Sequence, residues 1–292
     1  MRKAYGKYLT ALLLFGFNGV VASRIHLSSY EIVTLRSVLG GALLLGLFLA
    51  AGHRFTVQRH RRDLAYIAVS GAAMGAEWLL LYEAYDQIGV GLAMLINYTG
   101  PAIVIALSPL LLRERITPAR VMALAAALAG ACCISGQAAA AGVSPWGLLC
   151  AGLSAVGYAV MVLADKKAQT VVGLENAVVQ LLCAAVVVTV FTVCRQGFSM
   201  DVPAGDWPAV LLLGLVNTGV GCGLYFSAIG RLPAQSVAVC GYLEPLFAVV
   251  LSALLLHETM TPLQIAGAAL IIGGAVYGEC RPAGKARKKA RT

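Results

Sequence analysis

Apolar residues run through this chain in long blocks, and polar residues gather in short gaps between them. A helix that crosses a bilayer needs about 20 apolar residues, within a range of about 17 to 25. Ten such stretches fit, over residues 5–22, 29–51, 64–86, 88–112, 118–136, 146–165, 174–194, 207–229, 232–256 and 262–279. The gaps leave no room for a separate soluble domain. The expected fold class is an all-α membrane protein with ten transmembrane helices. The start, with its basic residues, apolar run and small residues, imitates a cleaved leader. We read it as a retained first helix, because without it the two halves of the chain do not match.

The halves match through one repeated block. TGPAIVIALSPLLLRERITP begins at Thr99, and LEPLFAVVLSALLLHETMTP begins at Leu243. Pro101 aligns with Pro245 at an offset of 144, and nine of twenty positions are identical without a gap. Shared hydrophobicity alone does not return Glu114 as Glu258, or Thr117-Pro118 as Thr261-Pro262. The first copy ends among Arg113, Arg115 and Arg120, where the second has His257, Thr259 and Gln264. Positive charge marks the cytoplasmic side of a membrane. The element therefore meets opposite faces in its two copies, which is the mark of inverted repeats. Residues 1–140 are expected to form the first five-helix repeat, 141–280 the second, and 281–292 a basic cytoplasmic tail.

Composition sharpens this picture. The chain is 60% hydrophobic and 12% charged, where a soluble domain would carry about 25% charge. The net charge of +9 is not a nucleic-acid signal, because of where it lies. With a cytoplasmic N-terminus, 19 of the 22 Lys and Arg residues fall in inside segments and the tail. That asymmetry sets the orientation, with both termini cytoplasmic, and leaves binding to anionic lipid as a side effect. The eight Cys residues show no metal-ligand spacing. A disulfide between Cys133 and Cys150 stays open.

The stretch GLYFSAIGRLPAQSVAVCGYLEPLFAVVLSALLLHETMTPLQIAGAALIIGGAVYG resembles an EamA domain of the drug/metabolite transporter superfamily. EWLLLYEAY and NYTGPAIVIALSPLLLRERIT resemble the paired domain. The resemblance implies ten helices in two inverted repeats, a central substrate cavity and movement of small metabolites, often amino acids.

Candidate site residues are the polar groups at membrane depth. Burying a charge in a bilayer costs several kcal/mol, so its presence calls for a reason. Arg36, Glu77, Glu83 and Glu244 qualify. Arg36 and Glu77 fall at similar depth on consecutive helices and are expected to pair. Trp78, Tyr82 and Tyr85 share one helix face. Trp78 and Tyr82 either line a cavity or pack, whereas Tyr85 suits an interfacial belt. Asn18, Asn97 and Asn217 either bond neighbouring helices or meet substrate. Tyr98 and Tyr242 are repeat equivalents beside the two prolines.

Pro101 and Pro245 are read as mid-helix kinks that free the carbonyls of Asn97 and Gly241, and as hinges. The Thr-Pro pairs start the fifth and tenth helices, with Glu114 and Glu258 offering carboxylates to free backbone N–H groups. GxxxG pairs at Gly71/Gly75, Gly219/Gly223 and Gly274/Gly278 predict close helix contacts.

The expected substrate-binding set is Arg36, Glu77, Trp78, Tyr82, Asn97, Tyr98, Asn217, Tyr242 and Glu244, with Pro101 and Pro245 as hinges. There is no ATP-binding loop, HExxH or GxSxG, and we expect no enzyme activity, cofactor, metal or nucleic-acid partner. The expected protein is a secondary transporter of a bacterial-type inner membrane, exporting small metabolites such as amino acids. Its partners are a small-molecule substrate, membrane lipid and, as a candidate coupling ion, the proton. The alternative is a drug or organic-cation exporter.

Overall fold

The computed structural model describes residues 2–22, 24–114, 116–135, 144–197, 201–255 and 261–280. Arg115, the linker at 136–143, His257, Glu258, Thr259 and the tail 281–292 lie outside the described residues, as does every expectation placed on them.

The described residues are helical, with no strand among them. Each predicted stretch is helical, some in two pieces. The first gives α1 (Arg2–Gly16) and α2 (Asn18–Ala22), the second α3 (Ser29–Ala50), and the third α4 (Arg61–Ile88). The fourth is broken into α5 (Val90–Asn97) and α6 (Gly100–Leu112), and the fifth is α7 (Pro118–Ser135). Then come α8 (Pro145–Lys167) and α9 (Leu174–Gln196). The eighth runs continuously through α10 (Trp207–Leu211), a π-helical stretch Leu212–Val220, and α11 (Gly221–Ile229). The ninth is broken into α12 (Ala234–Gly241) and α13 (Leu243–Leu255), and the last is α14 (Pro262–Cys280). By length and composition, five are able to cross a membrane: α3, α4, α8, Leu174–Arg195 and Trp207–Ile229. Their outer faces expose apolar side chains, among them Leu47, Val69, Val186 and Leu212.

Local chemistry sets the ends. Ser28 and Glu31 form a reciprocal capping box at the start of α3, with the Ser28 N–H donating to Glu31 at 2.9 Å. Ser144 caps α8, with Pro145 in its first turn. The helices α7 and α14 begin at Pro118 and Pro262, as their Thr-Pro pairs predict. Between α4 and α5 the chain turns at Gly89, whose φ of +77° is rarely open to a side-chain-bearing residue.

The contacts come in matched pairs. The helix α4 lies on α8 as α1 lies on α11, and α4 meets α9 as the π-helical stretch meets α3. Likewise α6 lies on α8 as α13 lies on α1, while α3–α9 and α7–α14 are their own counterparts. Small residues make the closest approaches. A methyl group on Gly71 would sit 2.4 Å from the Gln180 carbonyl oxygen, and one on Gly75 would sit 2.9 Å from that of Ala184. One on Gly219, the repeat equivalent of Gly75, would lie 3.3 Å from Gly40 Cα on α3. Overpacking a core costs about 1–3 kcal/mol, so these positions hold α4 on α9 and the π-helical stretch on α3 at short range.

Cys133 and Cys150, whose pairing the sequence leaves open, are both free. Two sequence expectations are corrected. Pro101 and Pro245 are not kinks inside continuous helices. They occupy the first turns of α6 and α13, after breaks at Tyr98–Thr99 and at Tyr242. A proline in the first turn loses no intrahelical bond, since its missing donor has no partner there anyway. Glu114 does not serve the helix that follows it. It accepts the Ala234 N–H at 2.8 Å and the Gln235 N–H at 3.4 Å, capping α12 in the other half of the chain. The reason is local: Arg113, at φ 58°, turns the chain sharply at the end of α6, and Pro233 gives α12 no side-chain cap of its own.

Candidate functional site

The two broken helices touch at their breaks. The Tyr242 hydroxyl donates to the Tyr98 carbonyl, and the two rings lie 6.1 Å apart. A carbonyl released by a helix break in hydrocarbon needs a donor, and the repeat-equivalent tyrosine supplies it. On α1, the Tyr8 hydroxyl donates to the Val237 carbonyl of α12 at 2.7 Å. The hydroxyls of Tyr8 and Tyr158 both approach Gly241, where an added methyl would meet them at 3.5 and 3.4 Å.

Glu244 stands in the first turn of α13, just beyond this junction. It is half-buried although it lies deep in the bundle. Its carboxylate is within electrostatic reach of Arg36, Glu77, Tyr8, Tyr85, Tyr98, Tyr158 and Tyr225. Glu77 is buried and accepts the Asn97 amide N–H at 3.3 Å. Arg36 is buried on α3 and lies over the Trp78 ring at 4.3 Å. Its Nε has no hydrogen-bond partner. The expected Arg36–Glu77 ion pair is absent. The ion pairs among the described residues are Arg195–Glu83 and His26–Asp206. Trp78 follows Glu77 on α4 and offers the guanidinium a ring face, which satisfies its charge without fixing its N–H groups. One cation and two carboxylates thus share a tyrosine-lined region without neutralising one another by contact.

Of the predicted set, Arg36, Glu77, Trp78, Asn97, Tyr98, Tyr242 and Glu244 converge here. The other two have contacts of their own. Tyr82 packs beside Trp78 on a cluster of Tyr30, Val33, Leu79 and Val188, with its ring 5.1 Å from that of Tyr85. Asn217, in the π-helical stretch, donates to Asn18 at 3.1 Å and bonds two elements together. Tyr85, expected at the membrane interface, is turned inward instead. Its hydroxyl meets the Met94 sulfur at 2.8 Å because α5 folds back over the end of α4. Tyr8, Tyr158 and Tyr225 were missed altogether. Their signal was available, since a phenol at mid-span needs a polar neighbour.

A second deep cluster was also missed. Asp165 on α8 is fully buried, and its Oδ1 accepts N–H groups from Asn176 at 2.6 Å and Gln180 at 2.5 Å. The Ser70 hydroxyl donates to Gln180 and, at 2.8 Å, to the Met161 carbonyl. Asp165 is thus a fully buried carboxylate beyond Glu77, Glu83 and Glu244, the acids that the sequence singles out. Asp165 was overlooked because it sits at the predicted end of its span, beside Lys166-Lys167.

The two ends of the bundle differ as well. At the end where α4 finishes and α8 begins, Glu83 accepts from Tyr30, from Trp146 Nε1 at 3.2 Å and from Arg195 at 3.2 Å. This joins α3, α4, α8 and α9. There too His26 donates its backbone N–H to Asp206 at 2.6 Å. That bond, reinforced by the imidazole at 3.0 Å, holds the Asp206 carboxyl below the usual carboxylate range. At the opposite, basic end lies an open cleft of about 990 Å³.

The EamA-like transporter family matches residues 3–136 and again residues 145–277. The "Uncharacterized transporter YxxF" of Bacillus subtilis is 23% identical over 287 residues, covering 97% of this chain and 92% of that protein. The "Probable terminal-alkyne amino-acid exporter" of Streptantibioticus cattleyicolor is 29% identical over 272 residues, covering 91% of this chain and 90% of its own length. A solved crystal structure superposes with a TM-score of 0.81 at 23% identity, over 94% of this chain and 98% of that one. The likeness to that structure is one of fold.

Proposed function

The chain belongs to the EamA-like transporter family, and from that premise we propose that it is a secondary exporter of zwitterionic metabolites, amino acids foremost. The observation that carries this is Arg36. It is a buried guanidinium with no ion pair among the described residues, in one region with two carboxylates that also lack one there. A lone charge at such depth is costly, and opposite charges brought by a ligand offset much of that cost. A substrate carboxylate pairs with Arg36, and its ammonium with Glu244 and Glu77. The tyrosine rings receive the cationic end and any aromatic side chain. The likeness to a protein named an amino-acid exporter supports the same class.

Ten membrane spans in two inverted repeats, divided near residue 140, form the rest of this reading. Its supports are the repeated block with opposed charge and the contacts that exchange in matched pairs. The basic loops and both termini face the cytoplasm of a bacterial-type inner membrane. Transport proceeds by alternating access, with one repeat rocking against the other and the breaks before Pro101 and Pro245 as hinges. Glu77 and Glu244 are the carboxylates that would carry protons, were the proton the coupling ion. A drug or organic-cation exporter is the second reading, favoured by two carboxylates among aromatic rings.

The test is counterflow in proteoliposomes with a pool of amino acids against a pool of quaternary ammonium compounds. Exchange of amino acids, lost in Arg36→Gln, is the expected result. Exchange of the cations alone, indifferent to Arg36, would overturn the zwitterion in favour of the second reading. Single Cys residues at positions 115 and 259 should label from opposite sides of the membrane. Labelling from one side would end the inverted arrangement.

A further inference from the structure

The cleft at the basic end is built from four separate segments of chain. They are the first turns of α4, the end of α6, the turn between α8 and α9, and the turn between α11 and α12. Six Lys and Arg side chains line it against two carboxylates, those of Asp63 and Glu114.

Both carboxylates are already committed to backbone donors. Asp63 accepts the N–H groups of Thr170 at 2.6 Å and Val171 at 3.0 Å, and Glu114 caps α12. The Lys166 ammonium is committed too, to the carbonyls of Ile229 and Leu232 at the end of α11. The remaining five cations have no acidic partner among the described residues. Two of them meet over one ring. The Tyr66 ring has the Arg62 guanidinium at 5.7 Å and the Lys167 ammonium at 5.8 Å. Arg113, which also lines the cleft, is held in the left-handed conformation at φ 58° that favours glycine.

Scattered basic residues on loops would satisfy a topology signal. They would not require a concave space whose carboxylates are both tied to backbone, nor a cation at a backbone position suited to glycine. Like charges gathered in one recess repel unless an anion sits among them. Arginine forks and lysine points together suit a group with several oxygens and more than one negative charge. The apolar side of the cleft, with Leu111, Leu112 and Pro233, accepts the non-polar part of such a molecule.

We propose that this cleft is a binding site for a phosphate group, separate from the central site, taken from an anionic phospholipid or from a free phosphorylated solute. The test uses the full chain purified in neutral detergent. One arm follows thermal unfolding with inorganic phosphate against chloride at matched ionic strength. The other measures retention of phosphatidylglycerol against phosphatidylcholine by native mass spectrometry.

The variant Arg62→Gln/Arg113→Gln/Lys167→Gln removes three cleft cations. Lys7→Gln/Arg54→Gln/Arg59→Gln removes three that lie outside the cleft, and Arg113→Gln alone serves if the triple variant unfolds. The cleft variant should weaken binding by about tenfold or more, as expected for lost charge-assisted bonds, while the control keeps it. Loss confined to phosphate assigns the site to a free solute, and loss confined to phosphatidylglycerol assigns it to lipid. Equal binding by all variants, or equal loss in the control, overturns the site and leaves the charge as a topology signal only.

Discussion

Arg36 and Gln180 are 144 residues apart, the offset of the repeated block, yet their surroundings use polarity in opposite ways. Around Gln180 the deep donors are committed: its amide bonds Asp165, and Ser70 bonds both it and the Met161 carbonyl. Around Arg36 they are not. The guanidinium rests on a ring, and Glu244 is partly exposed and makes no ion pair among the described residues. The first cluster ties α4, α8 and α9 through its donors, although Asp165 Oδ2 has no hydrogen-bond partner among the described residues. The second leaves one cation and two carboxylates without an ion pair among those residues, which suits the substrate site proposed above.

The sharpest way to break this contrast is at Gln180. Gln180→Leu strips Asp165 of a donor in a dry interior and should lower stability by about 2 kcal/mol, the scale of a hydrogen bond to a charged group. Thermal unfolding in detergent would read it, and transport per folded molecule should stay near normal. Arg36→Gln should do the reverse. Transport of a zwitterion falls by about tenfold or more, equivalent to about 1.4 kcal/mol of lost binding, with the unfolding temperature nearly unmoved. If Arg36→Gln unfolds the protein as readily as Gln180→Leu does, the contrast between the two clusters is false.

Smaller effects belong to the end carrying Glu83. Arg195→Gln leaves Glu83 its bonds to Tyr30 and Trp146, and Arg195 is half exposed, so the change should cost less than about 1 kcal/mol. It should show mainly as a salt dependence that vanishes in the variant. The smallest effect is at Asp206. Its carboxyl lies below its ordinary value of 3.8 in the folded chain. The stability it adds is full above that value and is lost as pH falls through the lower folded value. The unfolding temperature of Asp206→Asn should therefore be flatter than that of the parent below about pH 4. A parent curve that is equally flat would remove His26–Asp206 as a tie between the two loops.

The sequence made some of this legible and hid the rest for physical reasons. Helix positions followed from run length, and the helix starts at Pro118 and Pro262 followed from their Thr-Pro pairs. The capping box at Ser28 and Glu31 has a readable spacing but was not singled out. Arg36, Glu77 and Glu244 stood out because charge is rare at depth. Their arrangement did not, because similar depth on adjacent helices says nothing of the rotation that put Arg36 over Trp78. The inward turn of Tyr85 depended on α5 folding back at Gly89, which no periodicity announces. Tyr8, Tyr158 and Tyr225 passed as ordinary members of apolar runs, since a tyrosine contributes to an apolar face whichever way its hydroxyl points.

One bond joins parts of the chain made at different times. Glu114 caps α12, whose first N–H groups come 120 residues later in the chain. While the ribosome is still translating the second half, that carboxylate has nothing to bind, and α12 later emerges with Pro233 and no side-chain cap of its own. Each half thus carries one component of a joint that only the other completes. A gene cut between codons 136 and 143 should yield two fragments that are degraded when made singly and accumulate together when co-expressed. Glu114→Ala in the first fragment should weaken that mutual rescue.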